Sequence, residues 1–260
     1  MQKRSVSRIG GFGALAVATF TGLFFLSLVV ATRLSADPEQ IVWPHVLSDY
    51  ALALIGLSGL AAVPAITARV ATADRELARW AATVAQFGFG VLTVMSLWQA
   101  EYETTLAVDA MNLPVLNYDV PDARVTFLEN VVTRLPHGWL EVGGVGFWMF
   151  CVSLLGRKRH VLPGLLVSLG FVAGLVGVLT AFASASQLTW LAAVGQILYC
   201  VVLAPSWFLW MGSLLLEGTP AARTAAAPPA AVAVPPRRRR SYTAIVPTLR
   251  RWADRMPSLN

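Results

Sequence analysis

Apolar residues run in long stretches along this chain, and the charges fall between them. No charged residue lies between Arg8 and Arg33, between Asp49 and Arg69, or between Arg79 and Glu101. From His137 to Gly156 only Glu141 interrupts, and from Val161 to Leu216 nothing charged occurs. A helix rises about 1.5 Å per residue, so about 20 apolar residues cross the roughly 30 Å of bilayer hydrocarbon. Each of the first four stretches suits one crossing. The last is too long for one, and its polar break, Ser184 to Gln187, divides it in two. The pattern predicts an all-α polytopic membrane protein, a six-transmembrane-helix bundle occupying residues 1–218. Its spans fall at about 9–32, 46–68, 80–100, 137–156, 161–183 and 188–216.

Composition narrows the class further. Of 260 residues, 56% are hydrophobic and 13% charged, against about 25% charged in soluble domains. That excludes a disordered chain and argues against a soluble enzyme. Two cysteines offer no disulfide framework. The first span could be taken for a secretory signal, because Lys3, Arg4 and Arg8 precede it. Its apolar run exceeds the usual 7–15 residues or so of such a signal, so it is expected to remain as a span.

Six spans put both termini on one side, and the basic residues say which. Of the 20 Lys and Arg, all but Arg33, Arg124 and Arg134 fall in the terminal segments or in the short loops after spans 2 and 4. By the positive-inside rule those segments are cytoplasmic. Trp43, Trp98, Trp139 and Trp190 then sit at outer span ends, and Trp80 and Trp210 toward inner ones, as an aromatic belt.

Two regions outside the spans have their own pattern. The outer loop, 99–136, carries Val125, Leu128, Val132 and Leu135 at helical spacing after Pro121 and Asp122, which predicts a short amphipathic helix. After Gly218 an Ala/Pro linker and arginine run, 219–240, ends in Arg237, Arg238, Arg239 and Arg240. The tail, 241–260, spaces Ile245, Leu249, Trp252 and Met256 as one helix face, with Arg250 and Arg251 on the other. Such a basic amphipathic segment suits anionic lipids or a membrane protein partner. Four arginines and one tryptophan do not form a nucleic-acid reading head, and none is expected.

Within the spans, small residues are the packing signal. Gly143, Gly144 and Gly146 smooth one side of span 4, and span 5 has Gly170, Ala173, Gly174 and Gly177 at four-residue spacings. Pro64 and Pro205 are expected to kink or end spans 2 and 6. Gln86 and Gln196 are expected to hydrogen-bond between helices.

Chemistry could gather at one place. The acids within spans are Asp49 and Glu141, each preceded four residues earlier by a histidine, His45 and His137. Residues at i and i+4 share a helix face, and both pairs lie near outer span ends. Two imidazoles and two carboxylates are a donor set for zinc or iron, which could activate water. They could equally pass protons. The plainer alternative is that helix-end polar groups merely cap and meet headgroups. No span contains a lysine, which excludes a retinal Schiff base.

The stretch Phe147 to Gly177, FWMFCVSLLGRKRHVLPGLLVSLGFVAGLVG, ends a helix in Leu-Gly, turns through a basic hairpin and reopens at Pro163 and Gly164. With Trp207 to Gly212 closing span 6, it resembles a large family of six-helix bacterial membrane proteins of unknown function. The resemblance implies six spans and a bacterial inner membrane; it transfers no catalytic residue.

The sequence therefore favours a non-catalytic accessory subunit or scaffold of a membrane complex, with no cofactor. The alternatives are a metal-dependent enzyme or metal-binding protein at His45, Asp49, His137 and Glu141, and a small transporter. No repeat relates residues 1–98 to 137–216, which weighs against an inverted-repeat transporter.

Overall fold

The computed structural model describes residues 2–33, 38–112 and 139–217, with side chains for 6–30, 43–105 and 139–217. The amphipathic helix expected in the outer loop and the whole linker and tail, including Arg237 to Arg240, Arg250, Arg251 and Trp252, lie outside the described residues. So does His137.

Every described element is helical. Helix α1 is Gln2–Arg33, α2 Pro38–Val70, and α3 Arg75–Asn112. Helix α4 is Trp139–Lys158, α5 Gly164–Ala185, and α6 Thr189–Glu217. Among the described residues, six helices are thus long and apolar enough to cross a membrane, and all lie within one compact unit. This is a six-helix membrane protein.

The helix ends follow from local chemistry. Asp74 caps α3, its carboxylate accepting the Leu77 N–H at 3.0 Å. The α4–α5 turn and the α5–α6 turn each place a non-glycine residue in the left-handed region, His160 at φ 52° and Gln187 at φ 59°. In the second, Leu188 N–H reaches back to the Ala183 carbonyl at 2.9 Å and closes the helix end. The polar break at Ser184 to Gln187 is therefore a tight hairpin.

Two boundaries differ from the hydropathy pattern. Helix α3 is 38 residues long, about 57 Å at 1.5 Å per residue, and runs into the segment expected as outer loop. Charge at Glu101 and Glu103 marks the edge of the hydrocarbon, not of the helix, because glutamate is a good helix former. No proline intervenes before Pro114. Helix α2 likewise begins ahead of the apolar run and continues through Pro44 and Pro64.

Along much of α3 and α5 small side chains take the buried face. Helix α5 buries Gly170, Ala173, Gly174 and Gly177 while Leu165, Val172, Leu175 and Leu179 face outward. Helix α3 buries Ala78, Ala81 and Ala85, and exposes Trp80, Phe87, Val94 and Trp98. Lipid is as apolar as leucine, so transfer out of water drives nothing here, and packing with close backbone approach decides instead. A β-carbon at Gly146 would lie 3.0 Å from the Gly174 carbonyl oxygen and 3.1 Å from Gly177 Cα. The small-residue spacings are packing sites within the chain.

One end of the bundle gathers the basic residues. There Ser7 donates to the Leu215 carbonyl at 3.2 Å, Arg69 to Leu214 at 3.4 Å, and Arg159 to Thr72 at 3.3 Å. Arg69 and Ser7 thus serve carbonyls in the last turn of α6, where the helix dipole favours a cation. Just inside this basic end sits an aromatic cluster. Trp148 meets Trp207 edge-on at 5.6 Å and Phe208 at 6.2 Å, and its indole N–H donates to Thr67 Oγ1 at 3.0 Å. Six of the tryptophans behave otherwise. Trp43, Trp80, Trp98, Trp139 and Trp190 are exposed and Trp210 half-buried, toward the ends of the apolar stretches.

Candidate functional site

The far end of the bundle holds the acidic residues proposed from sequence. His45 and Asp49 lie on α2; His45 is half-buried and Asp49 is 1% exposed. Glu141 is half-buried at the start of α4. Each of the three has an interaction partner. The turn carrying Glu141 packs on α3 and α5, and α2 meets α4 near Trp148. Among the described residues, no three of His, Cys, Asp and Glu cluster as metal ligands.

Glu141 instead lines a cavity of about 70 Å³ between α1, α2, α3, α4 and α6. Thr21, Tyr199 and Cys200 supply its other polar atoms, and Phe24, Phe89 and Phe208 much of its apolar wall. One water needs roughly 10–15 Å³ of such space, so the cavity holds several waters or a short alkyl chain. Tyr199 is fixed there by its hydroxyl, 3.5 Å from the Met149 sulfur.

The walls that carry Glu141, Tyr199 and Cys200 are π-helical. Trp139–Gly144 and Leu198–Leu203 each form a π turn, the first bearing Glu141 and the second Tyr199 and Cys200. The second has a clear cause. Pro205 lacks an N–H, and its ring crowds the carbonyl four residues earlier, at Val201, so the ladder widens just upstream. The proline expected to kink span 6 accordingly remodels one helical turn, and α6 resumes at Ala204. Wide turns of this kind recur at functional sites because they re-aim side chains. Hydropathy could not show them, but the Pro205 signal and the paired Gly143 and Gly144 were legible.

A second feature lies on the outer side of α3. Gln86 is exposed, contrary to the expectation that it bonds a neighbouring helix within the chain. It lies about 10 Å along the axis from Arg79, well inside the apolar span. Thr83 and Phe87 are exposed on the same side, and a β-carbon added at Gly90 would meet open space. Gln86 points outward because Ala78, Ala81, Ala82 and Ala85 are smaller and take the buried face. Gln196 is buried, at 2% exposure, as expected for a residue between helices.

Comparison with protein-family models, curated proteins and solved structures finds no match to this chain.

Proposed function

We propose that this protein is a non-catalytic accessory subunit or scaffold of a bacterial inner-membrane complex, with both termini cytoplasmic. Its partner docks on the exposed face of α3. The observation that carries this reading is the outward Gln86 amide beside the open notch at Gly90. An amide facing hydrocarbon without a partner costs several kcal/mol on a water-to-alkane scale. A partner helix supplies a hydrogen bond worth about 0.6–2 kcal/mol, and glycine lets its backbone come close.

A photo-crosslinking residue placed at Phe87 in native membranes tests this. The expected product is an adduct with a different membrane protein, lost when Gln86→Leu and Gly90→Leu are added. The same probe at Leu175, on the exposed face of α5, yields no protein adduct. If both positions behave alike, or if the adduct is a second copy of this chain, the accessory reading fails.

A second reading places a zinc or iron ion at His45, Asp49, His137 and Glu141, of which Glu141 lines the cavity. Elemental analysis of the purified protein distinguishes them. The accessory reading predicts no stoichiometric metal; metal that is present and lost on His137→Ala would replace it with the enzymatic one.

A further inference from the structure

A groove of about 440 Å³ lies beside the α4–α5 turn at the basic end, remote from the cavity and from the exposed α3 face. Its polar end is formed by Arg157 and His160, both exposed. Unlike Arg159, which donates to the Thr72 carbonyl, the Arg157 side chain has no hydrogen-bond or ion-pair partner among the described residues. Gly164, at the start of α5, also lines the groove, and a β-carbon there would meet open space. The first intrahelical bond of α5 runs from Val167 N–H to Pro163 O at 3.0 Å. The N–H groups of the preceding turn are therefore available to an acceptor, and the helix dipole favours a negative one.

From that polar mouth the groove passes Ser168 and ends at Phe171, about 10 Å farther along α5. Ser168 Oγ is already bonded to the Gly164 carbonyl at 3.2 Å, so it presents little polarity. Phe171 packs edge-on against Phe150 at 5.0 Å and closes the apolar end. The Arg157 guanidinium and the His160 imidazole thus lie at headgroup level, beside a basic turn, and an apolar trough descends into the hydrocarbon. Free phosphate matches only the first half of that arrangement.

We infer that this groove is a binding site for one anionic phospholipid of the leaflet on the basic side. Its phosphate lies between Arg157, His160 and the first turn of α5, and an acyl chain runs along Val167 to Phe171. The charge-assisted bonds from Arg157 orient the headgroup. The trough gives the site a preference over the general attraction of a basic surface.

Native mass spectrometry of the full-length, detergent-purified protein tests the site, with phosphatidylglycerol and phosphatidylcholine of equal chain length as probes. One phosphatidylglycerol is expected to be retained where phosphatidylcholine is not. Arg157→Gln with His160→Gln raises the half-saturating lipid concentration by about fivefold or more, since each Lys or Arg near a lipid surface contributes about 1 kcal/mol. Arg8→Gln removes a charge from the same end but away from the groove, and leaves binding within about twofold of the parent. Ser168→Trp, at an exposed position, fills the trough and weakens binding with Arg157 and His160 intact. Millimolar glycerol 3-phosphate does not compete. Equal retention of the two lipids, equal losses in the Arg8 and Arg157 variants, or displacement by glycerol 3-phosphate would each overturn the site.

Discussion

Replacing Gly174 by leucine leaves a protein that no longer holds α4 against α5. A β-carbon at this position falls 2.7 Å from the Gly146 carbonyl oxygen and 2.7 Å from the Phe150 backbone nitrogen. Those neighbours are main-chain atoms inside another helix, so neither can rotate away. Small-to-large changes in packed cores cost about 1–3 kcal/mol even when side chains can give. Gly174→Ala should fall in that range, and Gly174→Leu beyond it. The same substitution made where the structure leaves room behaves oppositely. Gly22 has nothing within 4 Å of an added β-carbon, so Gly22→Ala is neutral or gains up to about 1 kcal/mol of helix propensity. Unfolding of the purified protein by sodium dodecyl sulfate in mixed micelles measures all three. Coincident transitions for Gly174→Leu and the parent would mean that α4 and α5 do not touch along this line.

Trp148→Ala has an effect of comparable size for a different reason. The ring is 0% exposed and stands at the junction of α2, α4 and α6, against Trp207, Phe208 and Thr67. Removing a buried tryptophan side chain costs about 3–5 kcal/mol, because the helices around it cannot collapse fully into the space. Trp148→Phe retains a ring and drops the N–H, so it loses chiefly the bond to Thr67, about 0.6–2 kcal/mol within a membrane. Thr67→Val removes the other partner. In the double variant the two losses do not add, which a double-mutant cycle in the same micelles reads as the pair's coupling. Equal losses for Trp148→Ala and Trp148→Phe would show that the indole's volume contributes nothing.

Much of the architecture is written in the order of residues. The charge-free windows place all six spans to within a few residues at most ends, because crossing hydrocarbon is a one-dimensional requirement on length and polarity. The break at Ser184 to Gln187 and the basic turn at Arg157, Lys158 and Arg159 are equally local, and both are hairpins in the fold. The glycine spacings in spans 4 and 5 were readable as close packing. Less was readable at the far end of α3, where helix formation outlasts hydrophobicity. An amide in the span, Gln86, looked like an interhelical bond and proves to face outward.

Membership of a span, its approximate depth and its small-residue stripes are thus properties of the sequence alone, since each is set by neighbours along the chain and by the thickness of lipid. Which faces meet is not. In a bilayer nearly every residue of a span is apolar, so polarity no longer distinguishes inside from outside, and the choice passes to the fit of backbones. Only the tertiary structure could set Glu141 beside Tyr199 and Cys200 across two widened helical turns, and leave Gln86 turned away from its own bundle.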